Sequence, residues 1–219
     1  MRKACRLPAH WVTYIRRGWN PGPERAADLI LVPKAPHFVG TRINTSHSGP
    51  YGFLQRVPLV FYGPGYVRPL GRHRPGREVT VADIPPTYAK VMGFPWPRRD
   101  GAPISEILEE EATPPRLIVT ISIDGGGWNV LNRWPRAWPN LATLIEKGTN
   151  VEGAVVGSSP SITPAIHTSM STGFWPRRHG VTAIAVRSAN GEIVGAFTPS
   201  TNEIGAPSRR GQGKPMTFA

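Results

Sequence analysis

Three residues of this 219-residue chain have types and settings that could do chemistry. Asp124 ends the apolar, β-branched run Leu117-Ile118-Val119-Thr120-Ile121-Ser122-Ile123 and is followed at once by Gly125-Gly126-Gly127. Thr163 comes 39 positions later in Ser161-Ile162-Thr163-Pro164, a hydroxyl-bearing turn that leads into a helix pattern. An acid at a strand end lies where open α/β sheets place their ligands. A threonine at a helix N-terminus sits where backbone N–H groups and the dipole steady an anion and a developing alkoxide. The third residue, His47, lies in Asn44-Thr45-Ser46-His47-Ser48-Gly49-Pro50-Tyr51, among small polar residues and glycine. Each has a plainer reading on its own. Asp124 can simply end a core strand, Thr163 can be a helix cap, and a lone loop histidine is usually solvated.

The elements that must position these residues follow from pattern. Short apolar runs closed by turn residues predict buried strands at Leu117–Ile123, Asp28–Val32 and Val57–Tyr62, and a further strand is expected at Val151–Val156. Thr80 or Asp83 is expected to cap a helix that carries Pro85-Pro86 in its first turn and stops at Gly93. Ile104–Leu108 reads as a short helix. Pro139–Lys147 has Leu141, Leu144 and Ile145 on one face, with Gly148 as a C′ residue. A helix is expected from Pro164 through Met170, then a loop from Gly173 to Gly180 in which His179 is structural. Val181–Val186 and Glu192–Phe197 form a hairpin pattern around Ser188-Ala189-Asn190-Gly191. His10–Ile15 fits a short helix or a strand. Residues 66–78 read as a basic surface excursion, and residues 109–115 as a solvated connector and the best internal boundary. From Thr198 onward the chain is polar and turn-rich, and a poorly ordered tail is expected at 198–219.

Composition bounds the classes. The chain is 39% hydrophobic and 18% charged, which fits a globular protein with many turns, given 25 prolines and 24 glycines. Its net charge of +12 is spread along the chain: residues 1–113 carry sixteen Lys/Arg against nine Asp/Glu, and residues 114–219 ten against five. Such a field favours anionic partners, phosphate esters and nucleic acid included. The basic pairs, among them Arg98-Arg99 and Arg177-Arg178, read as a generally basic surface, because none stands in an aromatic-rich binding motif. A single cysteine, Cys5, excludes an internal disulfide and any site built on several cysteines. The N-terminus lacks the apolar run of a signal peptide, and no stretch approaches a membrane span, so a cytoplasmic protein is the expectation.

Taken together, the strand ending in Asp124, the Pro-Asn-Leu helix, Thr163 before a helix, and Thr172-Gly173-Phe174-Trp175-Pro176-Arg177-Arg178-His179-Gly180 resemble the alkaline phosphatase superfamily, especially its nucleotide pyrophosphatase/phosphodiesterase branch. The first half resembles the closing part of the same fold. The residues that carry that likeness are Thr45–Tyr51, Val57–Gly65 and Val81–Thr87, so the order is permuted. The resemblance implies an α/β fold, an incomplete alkaline-phosphatase-like sandwich with a mostly parallel central sheet flanked by helices. It divides the chain into residues 1–113, like the C-terminal part, and 114–197, like the nucleophile-bearing core, both in one domain. It further implies a metal-dependent phosphoric-ester hydrolase with Thr163 as nucleophile and Asp124, Thr163 and His47 as ligands of two zinc ions. Zinc would lower the pKa of the Thr hydroxyl and draw charge from a phosphoryl transition state, and a covalent phospho-enzyme would follow.

The sequence departs from that pattern in two places. The branch commonly has an Asn three positions after the Thr, and Ile166 stands there. It also places an Asp…His pair and an Asp-His dipeptide after the TGxxPxxHG segment, but no Asp follows Asp124 and no His follows His179. A premature stop, a frameshifted tail or a fragment is therefore expected, with self-association through exposed sheet edges. A catalytically inactive fragment or remnant is the competing function and a basic nucleic-acid-binding module a weaker one; nucleic acid is not expected as a partner beyond nonspecific binding. Sulfatase, Rossmann and DxD phosphotransferase patterns do not fit Thr163-Pro164-Ala165 or Gly125-Gly126-Gly127.

Overall fold

The computed structural model describes residues 7–19, 29–38, 46–110, 112–187 and 192–196. Cys5, Asp28, Asn44, Thr45, the 188–191 turn and the 198–219 tail lie outside the described residues. In chain order the elements are α1 (Ala9–Gly18), α2 (Gly52–Gln55), β1 (Val60–Phe61), β2 (Gly71–His73), α3 (Ile84–Met92), α4 (Trp128–Leu131), α5 (Pro139–Lys147), β3 (Thr149–Val151), α6 (Thr163–Thr172), α7 (Pro176–His179), β4 (Ala185–Arg187) and β5 (Ile193–Gly195). Short 3₁₀ turns at Val81–Asp83 and Ser105–Ile107 complete them. Among the described residues no helix is long and apolar enough to cross a membrane.

The main sheet has three short strands in the order β1-β3-β2. Central β3 runs antiparallel to β1, with Val60 opposite Asn150, and parallel to β2, with Arg72 opposite Asn150. The sheet is therefore mixed, not mostly parallel as expected. β1 is shorter than its apolar run because Pro58 has no N–H to give a ladder. Val57 and Leu59 make single backbone bonds instead, to Ala154 and Val151. A separate antiparallel pair, β4 with β5, occupies the hairpin expected near the C-terminal end.

The two runs that read most plainly as buried strands are not strands. Leu29 and Leu31 are 87% and 79% exposed, and Leu117, Val119, Ile121 and Ile123 are between 62% and 77% exposed. Neither run pairs with another segment among the described residues. The alternation expected of a strand nevertheless persists in 117–123. Thr120 and Ser122, themselves exposed, hydrogen-bond with the Tyr88 hydroxyl (2.8 Å) and the His167 ring (3.4 Å) on one side, while the odd-numbered apolar residues lie on the other. A periodic pattern dictates faces; a ladder also needs a neighbour with free N–H and C=O groups.

Two apolar clusters hold the elements. One joins Val79, Ile104, Ile107, Leu108, Val151 and Ala154; the other joins Val81, Ile84, Val156 and Ile166; Leu59 packs against both. Each cluster mixes residues from the two halves of the sequence. Full burial of an Ile or Val side chain contributes about 1.5–3 kcal/mol, so these few side chains carry much of the docking of α3 and α6. At the entry to α3, buried Asp83 accepts the Thr80 N–H (2.7 Å), the Thr80 hydroxyl (3.2 Å) and the Ala102 N–H (2.7 Å), and faces Arg77 (3.2 Å). α3 ends at left-handed Gly93, as its sequence suggests. α5 also forms as expected, but Gly148 is not a left-handed C′ residue: its φ is −125°. Glycine is needed there because a Cβ would stand 2.2 Å from the Phe61 carbonyl oxygen, where β1 approaches.

Candidate active site

α6 begins at Thr163, with Ile162 in the N-cap position and Pro164 in the first turn. Proline suits that turn, since its missing N–H has no intrahelical partner to lose. The Thr163 hydroxyl caps no backbone N–H. It donates to Asp124 Oδ2 at 2.8 Å. The other carboxylate oxygen, Asp124 Oδ1, lies 2.9 Å from His47 Nε2. The structure thus brings together all three residues singled out in the sequence. The Asp124 and His47 side chains are about half exposed, at 47% and 46%, so a solvent-borne ligand can reach them.

Each is held by its surroundings. After Asp124 the chain reverses through Gly125 at φ +75°, a conformation L side chains rarely adopt, and Gly126 N–H closes the turn on the Ile123 carbonyl. His47 is set by Ser161, two residues before Thr163. The Ser161 hydroxyl accepts the Gly49 N–H (3.1 Å) and donates to the His47 carbonyl (3.4 Å), while Ser48 Oγ donates to the Ser161 carbonyl (3.3 Å). Fully buried Gln55 ties the same two loops together. Its amide donates to the Gly49 carbonyl (2.7 Å) and the Ser158 carbonyl (2.9 Å), and its Oε1 accepts the Gly157 N–H (2.9 Å). α1 adds a third support, through the bond from Ser159 N–H to the Tyr14 carbonyl (3.0 Å). Sequence reading missed Ser161 and Gln55. Ser161 stood beside a candidate nucleophile, which is a usable signal; Gln55 offered none.

One helical turn beyond Thr163, His167 lines a cleft of about 230 Å³ with Ile84, Tyr88, Thr120, Ser122, Met170 and Ser171. Burial pushes the Tyr88 phenol pKa up, so it stays a neutral hydroxyl beside Thr120. Behind α6, His179 is buried. Its Nδ1 accepts the Val181 N–H (3.1 Å), so the ring proton sits on Nε2 and donates to Ser169 Oγ (3.1 Å), which in turn donates to the Ala165 carbonyl (3.1 Å). Burial pushes the His179 pKa down to about 3, so the ring is neutral and structural.

Imidazole nitrogen and carboxylate oxygen are donors suited to zinc, and a catalytic zinc takes three protein ligands and keeps a fourth position open. His47 and Asp124 bring two such donors together beside the Thr163 hydroxyl. Among the described residues no group of three or more His, Cys, Asp or Glu side chains gathers anywhere.

Residues 118–215, a little under half of the chain, match the family model described as type I phosphodiesterase / nucleotide pyrophosphatase. The match begins in the run that ends on Asp124 and includes Thr163. No curated protein and no solved structure matches the chain.

Proposed function

On the premise that residues 118–215 are a type I phosphodiesterase/nucleotide pyrophosphatase segment, we propose that the chain is built around the nucleophile of a phosphoric-ester hydrolase. The observation that carries this reading is the continuous contact from Thr163 Oγ1 to Asp124 Oδ2 and from Asp124 Oδ1 to His47 Nε2. In the proposed reaction Thr163 Oγ attacks phosphorus and its proton passes to Asp124. The Oγ–P bond forms, the ester P–O bond breaks, and the departing oxygen is protonated by solvent. Water then releases the phosphoryl group from Thr163. His47 holds the carboxylate toward the hydroxyl. A zinc ion held by His47, Asp124 and Thr163 would supply Lewis-acid stabilisation of the phosphoryl oxygens. Ile166 presents no amide in the first turn of α6 and is itself buried, so substrate phosphate would be held by backbone N–H groups there. The permuted order of the two segments is part of this proposal, and the mixing of both halves in each apolar cluster supports one domain.

The ligand count favours a second reading, in which the site is incomplete and the chain is an inactive relative of such enzymes. Hydrolysis of p-nitrophenyl phosphate and bis-p-nitrophenyl phosphate, with and without zinc, separates the two. Turnover that disappears in Thr163→Ala supports the hydrolase. Stoichiometric zinc or cobalt(II) binding with no turnover, and no phosphothreonine trapped at Thr163, supports the inactive form.

A further inference from the structure

The tetrapeptide Trp-Pro-Arg-Arg occurs twice, at Trp96-Pro97-Arg98-Arg99 and at Trp175-Pro176-Arg177-Arg178. The two copies dock on one another at the C-terminal end of α6, about 14 Å along the helix from Thr163. Asp100 and Gly101 N–H both donate to the Gly173 carbonyl (3.1 and 3.0 Å), and Asp100 Oδ2 accepts the Trp175 N–H (2.9 Å). Asp100 Oδ1 pairs with Arg178 at 3.2 Å. The guanidiniums of Arg99 and Arg178 both lie against the ring of Phe174, at 4.3 and 4.5 Å, and Arg99 also lies over Trp96 at 5.3 Å. The two basic pairs that the sequence presents as an ordinary charged surface therefore share an aromatic setting.

The charges here are unbalanced. The two tetrapeptides carry four arginines, of which Arg178 pairs with a carboxylate, Asp100, while among the described residues Arg98, Arg99 and Arg177 have no ion pair. Burial, and then the charge of Arg178, lowers the pKa of Arg99, which remains a cation at any working pH. The Arg99 Nε is buried with no hydrogen-bond partner. Stacking on Trp96 and Phe174 fixes these planar groups in advance, so little side-chain entropy is left to lose on binding. Phe94, two residues before Trp96, is 42% exposed.

We propose that the paired Trp-Pro-Arg-Arg turns form a docking surface for the phosphate backbone of a single-stranded nucleic acid. Magnitudes favour a polyanion over one phosphate. An exposed ionic contact contributes about 0–1 kcal/mol, so two of them would hold a lone phosphate no better than millimolar. A strand that meets several arginines releases counterions at each contact, and bases can stack on an exposed aromatic ring. A duplex reader is disfavoured because α7, which carries one of the pairs, is only four residues long.

The test is fluorescence anisotropy of the full chain with a labelled oligothymidylate between 50 and 200 mM KCl. With four arginines engaged, log K should fall against log salt with a slope of about −2.8. Arg98→Gln with Arg177→Gln removes two exposed charges outside the Phe174 stack. It should reduce the slope by about 1.4 and weaken binding several-fold, without moving the thermal midpoint. Arg133→Gln with Arg136→Gln makes the same change in net charge elsewhere and should leave binding nearly intact. Equal losses in both variants would reduce the effect to the overall positive field. No binding at 50 mM KCl, or equal competition by polyglutamate of matched charge, would also overturn the proposal.

Discussion

Thr163 gives its hydroxyl hydrogen to Asp124 rather than to its own helix. A capping threonine accepts an N–H of the first turn, and its loss costs about 1 kcal/mol. Here α6 starts without that bond. Thr163→Val should therefore shift stability by about 0.5 kcal/mol or less, because water can replace the lost partner of a half-exposed carboxylate. Urea denaturation measures it. A loss above about 1 kcal/mol would return Thr163 to an ordinary structural role.

His179 makes stability depend on acid. Its folded pKa is depressed to about 3 from an unfolded value of 6.5, so between those values the unfolded chain binds a proton that the folded chain excludes. Stability from this group is complete above about pH 6.5 and is lost progressively as pH falls toward 3. The full loss is on the order of a few kcal/mol. Urea midpoints taken between pH 7 and pH 4 should fall steadily, and His179→Gln should flatten that dependence. An unchanged slope in the variant would assign the acid sensitivity to other groups.

Asp83 is the buried carboxylate on which the entry to α3 depends. Asp83→Ala removes the acceptor of the Thr80 and Ala102 N–H groups, while Arg77, 37% exposed, keeps the carbonyl oxygens of Glu78, Ala102 and Pro103. Leaving a buried N–H unsatisfied costs about 1–3 kcal/mol for each group. A fall of that size in the unfolding free energy is expected by chemical denaturation. A variant within 1 kcal/mol of the parent would mean that solvent reaches these donors.

The outward face of residues 117–123 is expected to associate. Four exposed apolar side chains in alternation, on a run with no ladder partner among the described residues, present an apolar row and an open backbone edge to other copies. Val119→Lys with Ile121→Lys should lower the average mass in sedimentation velocity at tens of micromolar. The same mass distribution in parent and variant would remove this surface as the contact.

How much of this was legible in the sequence depended on whether local pattern or long-range neighbours decide the outcome. α5 and the end of α3 at Gly93 follow from periodicity and from a glycine in the left-handed region. β2 could not be read, because Gly71-Arg72-His73 has no apolar content and is ordered by parallel pairing with β3. The error at 117–123 has the opposite origin: a strong local pattern without the neighbour that would make it a strand. The candidate site was legible only as a set. His47 has the local signature of a solvated loop residue, and only its distant partners give it a place beside Asp124.

Gln55 has a consequence for how the molecule is made. Its three side-chain bonds join residue 49 to residues 157 and 158, and the latter two lie more than 100 positions away along the chain. Closing so long a loop brings no return until both ends have met. The bonds that tie the His47 loop to the segment leading into α6 therefore form only after that segment has been synthesised. Topology of this kind slows folding.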